Sequence, residues 1–423
     1  MYSKRFKFII AALTLLLVTQ VLAPDRSAAA SKTIEQLPEP EWSYTLPKGY
    51  TFWNTLDSLQ NKDRMFIQLS KKVKLSASQT KSSDKVYTSI DRNNGSTSWV
   101  YDYSDIANDK PFTASKFFSA SNGYSYFYKM KGAIAYDFSV VDPKGKLKWT
   151  KNITDSYTPL VLDSGNIVIR SYVPHKPTSI TFTEYNQGGK QIRKLNLTNK
   201  WTSGILEVLP NGYVTHELPE QGSISIYRSL SALKTPLVTY TAPKSMKNPY
   251  FEVKSFKGGS FIVYLSSKNG KLVIGYDMKG KKKWVRTLNV NDQIDITGNN
   301  YLVRNENTYR LYSKDNQLLG KQQIGGIGDK KWIYHMTPSG EITVEKQYQW
   351  QERPPIIDEN EFEGDWARED FYVLDPGNLQ IKYHLSTLWL DQKAGHMYIY
   401  AGNGELYLTN EFFDNTLTKY ILK

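Results

Sequence analysis

The chain of 423 residues contains no cysteine. Disulfides, thiolate metal sites, a cysteine nucleophile and a lipid-modified N-terminal cysteine are therefore excluded. Histidine is also scarce, with residues only at 175, 216, 335, 384 and 396. No two lie within four positions, so there is neither an H-x-x-x-H pair nor a tight zinc spacing. There is no G-x-S-x-G elbow and no phosphate-binding glycine loop. Past the first 30 residues no apolar run is long enough to span a bilayer. No later stretch carries a sustained 3.6-residue period either. What is plentiful is aromatic and basic: 30 Tyr, 10 Trp and a net charge of +13. That aromatic content excludes a disordered chain, and the charge implies an anionic neighbour.

Residues 1–30 read as a secretory signal peptide. Lys4, Arg5 and Lys7 precede a mostly apolar run from Phe8 to Ala23, and Ala28-Ala29-Ala30 supplies the small-residue cleavage site. Cleavage would remove Lys4, Arg5, Lys7 and Arg26 against Asp25, leaving 50 basic and 40 acidic residues, a net +10. The expected address is secreted or extracellular, with cell-wall association as one form of it. Nucleic acid is not an expected partner there, and no membrane span is expected after cleavage.

Residues 31–423 carry one recurring unit. An apolar strand ends in Asp or Tyr, a turn with Gly follows, and Trp then opens the next strand. Asp91-Arg92-Asn93-Asn94-Gly95 leads to Trp99, Asp142-Pro143-Lys144-Gly145 to Trp149, and Asp277-Met278-Lys279-Gly280 to Trp284. Weaker copies lead to Arg193, Gly320 and Lys382, with degenerate candidates at Tyr227 to Pro236 and Phe413 to Tyr420. Asp, Asn, Pro and Gly supply the turn geometry. The Trp is expected to cover the apolar face of its hairpin.

The copies recur about every 46 residues, and each unit holds further strand candidates. In one, Tyr250–Lys254, Ser260–Tyr264, Leu272–Tyr276 and Trp284–Leu288 follow in turn. Four short strands per unit predict an all-β chain: a single β-propeller of four-stranded antiparallel blades. Eight blades are favoured, with seven as the alternative. Either the last unit holds all its own strands, or Trp42 to Leu46 completes that blade and locks the ring.

The hairpin Val141 to Trp149 resembles the repeat of PQQ-like (quinoprotein-like) β-propellers, and Asp277 to Trp284 and Asp91 to Trp99 share the pattern. In that family the Trp residues dock between neighbouring blades, and members range from quinone-dependent dehydrogenases to non-catalytic assembly propellers. The resemblance implies the fold and does not transfer an activity. The vicinal cysteine pair common over the cofactor in the enzymes is absent, which favours a non-catalytic member with no cofactor.

Two features stand outside the repeat. The acidic insertion at about 349–370 contains Trp350 and Trp366, candidate platforms for a carbohydrate or cationic partner. Asp358, Asn360, Glu363 and Asp365 offer oxygens to calcium, but in an order that fits a calcium loop poorly. The run Lys281-Lys282-Lys283 lies on a predicted turn, and Lys71, Lys72 and Lys74 border another loop. If both clusters share a face, they form an anion-binding patch. The leading expectation is a non-enzymatic scaffold presenting loops to a protein or an anionic cell-wall polymer or polysaccharide. The alternative is a quinone- or metal-dependent oxidoreductase or lyase with its site at the central channel.

Overall fold

A computed structural model describes residues 32–34, 37–55, 61, 63–74, 80–102, 115–119, 122–130, 135–154, 159–173, 176–198, 201–325, 332–349, 366–386, 395–410 and 415–423. Among them the strands form eight sheets, each built on four antiparallel strands, and no α-helix occurs. The chain is an eight-bladed β-propeller. Blades 1 to 7 begin at their innermost strands Tyr50–Thr55, Ser115–Ser119, Leu160–Val161, Ile205–Val208, Tyr250–Ser255, Gln293–Thr297 and Trp332–Met336. Blade 8 takes three strands, Gly395–Gly402, Glu405–Asn410 and Thr416–Ile421, from the end of the chain. Its outermost strand is Trp42–Thr45, paired antiparallel to Thr416–Lys419. Lys32–Ile34 adds a parallel fifth strand to blade 7, along Tyr383–Leu385.

The ring is therefore locked by the N-terminal strand. The segment counted as a last hairpin, Phe413 to Tyr420, instead contains part of blade 8's third strand, and residues 411–414 lie outside the described set. Seven third–fourth hairpins and one borrowed strand make up the eight blades.

Apolar alternation explains the packing. In blade 5, Phe261, Val263 and Leu265 join the core shared with blade 4, while Ile262 and Tyr264 join the core shared with blade 6. Both sheet faces are buried, so the strand reads as an unbroken apolar run. Eight such clusters fill the eight seams, including the one between blades 8 and 1 around Trp42, Met65, Ile67, Tyr407 and Leu417. Each large buried side chain contributes about 1.5–3 kcal/mol. The outer strands of blades 2, 3 and 5 share another alternation, open to solvent until a buried residue near the end.

The repeat motif does its work between blades. The Trp covers the hairpin of the next blade, as in the family it resembles, rather than its own. Trp99 Nε1 donates to Pro143 O at 3.3 Å, Trp149 Nε1 to Gln187 O at 2.8 Å, and Trp284 Nε1 to Lys314 O at 2.8 Å. Trp42 does the same to Arg92 O at 3.0 Å. In every case the acceptor is the second residue of the turn. A register shift beside the turn in blades 1, 2, 3, 5, 6 and 7 is a bulge that re-aims the outer strand. Gly145 meets two demands: its φ is +81°, and a Cβ there would stand 2.5 Å from Trp99 Cγ.

The meander fixes two faces. First–second and third–fourth turns emerge on one, here the turn face. Second–third connections and the links between blades emerge on the other, the loop face.

Candidate functional site

The third–fourth turns of four successive blades place exposed cations on the turn face. Blade 2 presents Lys144, Lys146 and Lys148, blade 3 Lys190, blade 4 Arg228 and Lys234, and blade 5 Lys279 and Lys281 to Lys283. The acids in these turns are engaged with the backbone. Asp142 Oδ1 accepts from the N–H groups of Lys144 and Lys146, each at 2.9 Å, and Asp277 Oδ1 from those of Lys279 and Lys281, each at 2.9 Å. The N–H of Lys281 does most to hold the Asp277 carboxyl below its ordinary pKa, with the N–H of Lys279 and the charges of Lys283 and Lys281 adding to it. In blade 6 the cation is already matched, Lys314 Nζ lying 2.6 Å from Asp315. The cations of blades 2 to 5 form an arc along one half of the rim.

The inner strands of blades 5 to 7 build a second polar surface. Lys254 Nζ lies 3.2 Å from both Glu252 and Asp295 and donates to Ile294 O at 2.9 Å. Burial works against its charge, yet Asp295 and Glu252 hold the ammonium above its ordinary pKa. Tyr334 donates its hydroxyl proton to Asp295, and Arg304 stacks over the Tyr334 ring at 3.9 Å from its centroid. Burial first, then Asp295, pushes the Tyr334 phenol up to about 12. In blade 4, burial and the neighbouring Glu207 raise the Glu217 carboxyl. This wall is neither a convergence of carboxylates nor a lining of Ser, Thr and apolar groups. In blades 5 and 6 Lys254 stands between Glu252 and Asp295, while in blade 4 Glu207 and Glu217 face each other. Among the described residues no three His, Asp or Glu side chains gather as metal ligands.

Lys281, Lys282 and Lys283 are exposed, as expected of a turn. They do not share a face with Lys71, Lys72 and Lys74. Those lie at the loop-face end of blade 1's second strand, whereas Lys281 to Lys283 follow a turn-face hairpin. Antiparallel order sends the two ends to opposite faces, so the patch expected from both clusters does not form. Trp366 opens the third strand of blade 7 opposite Gln349. Trp350, Asp358, Asn360, Glu363 and Asp365 lie outside the described residues. Asp91, Gly95, Trp99, Asp142, Gly145, Trp149, Asp277, Gly280 and Trp284 occupy the hairpins and outer strands of blades 1, 2 and 5.

Sequence reasoning singled out the lysines of blade 5 and passed over those of blades 2 and 3. The signal was present, since lysine follows the turn glycine in Gly145-Lys146, Gly189-Lys190 and Gly280-Lys281.

No family model matches the sequence, and no curated protein matches it. Solved structures do resemble the chain. One from a study of two prolyl endopeptidases is 11% identical with a TM-score of 0.48, covering 79% of this chain and 49% of that one. The β-propeller domain of the Trilobed protease from Pyrococcus furiosus is 8% identical with a TM-score of 0.42, covering 71% of this chain and 91% of that one. Catalytically inactive virginiamycin B lyase from Staphylococcus aureus is 9% identical with a TM-score of 0.37, covering 74% and 96%.

Proposed function

We propose that this chain is an exported, non-enzymatic propeller of the PQQ-like repeat type whose turn face holds an anionic cell-wall polymer or polysaccharide. The carrying observation is the cation arc on blades 2 to 5, where Asp142 and Asp277 are bound to their own turns. The Trp-to-turn hydrogen bond repeated at four seams supports the repeat type. The tripartite segment at residues 1–30 supports export. A rigid ring presents lysines on successive blades with no backbone to order at binding, so that only their side-chain rotamers are lost. Binding of this kind is multivalent, long in reach and screened by salt.

Sedimentation with isolated cell walls tests the reading. The protein is expected to pellet at low salt and return to the supernatant as salt approaches about 1 M, where the Debye length falls to about 3 Å. The triple variant Lys281→Glu, Lys282→Glu, Lys283→Glu is expected to pellet less at low salt and to leave the pellet at a lower salt concentration than the parent. Protein that stays soluble at low salt, or a triple variant that pellets like the parent, would overturn the proposal.

A further inference from the structure

The loop face of blade 6 carries a cleft of about 270 Å³. Its walls are the link from blade 5, the turn between the second and third strands, and the end of the outer strand. Every described residue that lines it is polar. Asn289, Asn305 and Gln323 bring three carboxamides, Thr308 a hydroxyl, Glu306 a carboxylate and Arg310 a guanidinium, and the buried Asn307 forms part of the floor.

The frame beneath is fixed. Asp292 is 1% exposed, accepts from Arg310 Nη2 at 2.9 Å and from the Asn289 N–H at 3.0 Å, and offers its carbonyl to Lys271 Nζ at 2.7 Å. Asn307 is 3% exposed, and its carbonyl takes the Ile324 N–H at 3.0 Å, tying the turn to the end of the outer strand. Glu306 closes the turn with a left-handed φ of 47°. The charges balance: Arg310 and Lys271 stand against Asp292 and Glu306, so no net charge calls for an ionic ligand. What remains is a set of neutral donors and acceptors, and each carboxamide supplies both. Adjacent hydroxyls of a sugar ring make the same double demand. The volume lies just below the usual range for ligand pockets, which suits one ring rather than a chain.

We infer that this cleft binds a neutral sugar unit, with the carboxamides and Glu306 taking its hydroxyls and Arg310 donating to one of its oxygens. Among the described residues that line the cleft there is no aromatic platform, so the affinity is weak, with a Kd of about 1 mM. The site stands on the face opposite the cation arc and is independent of it.

Titration of the full chain with maltotriose, xylotriose, chitotriose and trigalacturonate, followed by nuclear magnetic resonance or calorimetry, tests this. At least one neutral trisaccharide is expected to bind at one site, and the variant Lys281→Glu, Lys282→Glu, Lys283→Glu is expected to bind it like the parent while trigalacturonate, held by the other face, weakens. The affinity of the neutral sugar is expected to hold between about 0.05 and 0.5 M salt, a change that strips ligands held by exposed charge alone. Asn289 and Gln323 are exposed, so the variant Asn289→Ala, Gln323→Ala keeps the fold. It is expected to lose about tenfold in affinity, or about 1.4 kcal/mol. Four results would each overturn the inference: no neutral trisaccharide binds, the lysine triple variant loses the neutral sugar, its binding collapses with salt, or the double variant binds like the parent. None of them bears on sedimentation with cell walls, which reads the other face.

Discussion

The indole of Trp42 donates to the carbonyl oxygen of Arg92 at 3.0 Å, across the seam where the last blade meets the first. The ring stacks over Gly95 and lies 5.9 Å from the ring of Tyr407. Trp42 is only 9% exposed, so Trp42→Ala opens a cavity in the closing seam and is expected to cost about 3–5 kcal/mol. Trp42→Phe keeps much of the packing and loses the hydrogen bond. The Arg92 carbonyl still accepts from Lys419 Nζ at 2.8 Å, so no buried acceptor is orphaned, and the cost falls to about 1 kcal/mol. Equilibrium urea unfolding of the two variants measures the difference. Equal midpoints would show that packing does not hold the seam.

Lys419 provides a second prediction at the same seam. Its ammonium, in a side chain 4% exposed, lies 2.9 Å from Glu41 and 3.6 Å from Glu405. Glu405 in turn holds the guanidinium of Arg92 at 2.5 Å. Lys419→Met takes the buried ammonium from the partly exposed Glu41 and Glu405, leaves Glu405 with Arg92, and is expected to cost about 1.5–3 kcal/mol. Lys148→Met, on an exposed edge, is expected to stay within about 0.5 kcal/mol of the parent. Similar losses in both would remove the network from the account of ring closure.

The difference between these lysines marks where sequence reading stops. Strands and turns are local, so blade 5 could be read nearly to its ends: period-two patterning, Gly258-Gly259 and Asn269-Gly270 mark the strand boundaries. Trp42 to Leu46 was legible as a blade's outer strand because it carries the same Trp-led pattern. The partner of each Trp was not legible, because it lies one blade further along the chain. Weak copies have physical causes. At Gly320 the backbone itself meets the next turn, and a Cβ there would stand 1.9 Å from Asn378 O. Beyond Arg193, Trp201 packs out of register against Tyr227 and fills the seam instead. Lys419 and Arg92 are 327 positions apart and carry no common pattern. The cleft on blade 6 depends on how one turn sits against one link, which side-chain periodicity does not encode.

The turn glycines provide a third prediction. Gly145 and Gly258 both have positive φ, at 81° and 98°. A Cβ on Gly258 meets nothing within 4 Å, so Gly258→Ala pays only the backbone term, about 1–2 kcal/mol. At Gly145 the new methyl also strikes Trp99, and the loss is expected to be larger. In the background Trp99→Ala that excess should vanish, because the collision partner is gone. A double-mutant cycle reads the coupling directly. Additive losses would mean that Trp99 can move aside and that the glycine is required only for its φ.

Glu341 ties blades 7 and 8 together on the turn face, and it should give the protein an acid-sensitive seam. The side chain is 2% exposed, and Lys382 Nζ contacts its Oε1. Oε2 accepts from the Asn403 N–H at 2.6 Å, Ser339 Oγ at 3.1 Å and Tyr400 Oη at 3.2 Å. Burial is the largest influence and would raise its pKa. The hydrogen bond from Lys382, the Asn403 N–H, the charge of Lys382 and the Ser339 hydroxyl together outweigh it, and the carboxyl is held below its ordinary 4.5. The folded state therefore binds this proton less readily than the unfolded chain. The stabilisation is fully present above about pH 4.5 and is lost as pH falls through the folded value. Glu341→Gln keeps the shape but carries no ionisable proton. Its urea midpoint is expected to be lower than the parent's at pH 7, with the gap narrowing below about pH 4.5 as the parent's own carboxylate is neutralised. A gap that stays constant down to pH 3 would assign the loss at Glu341 to geometry and leave the acid limb of stability to other carboxylates.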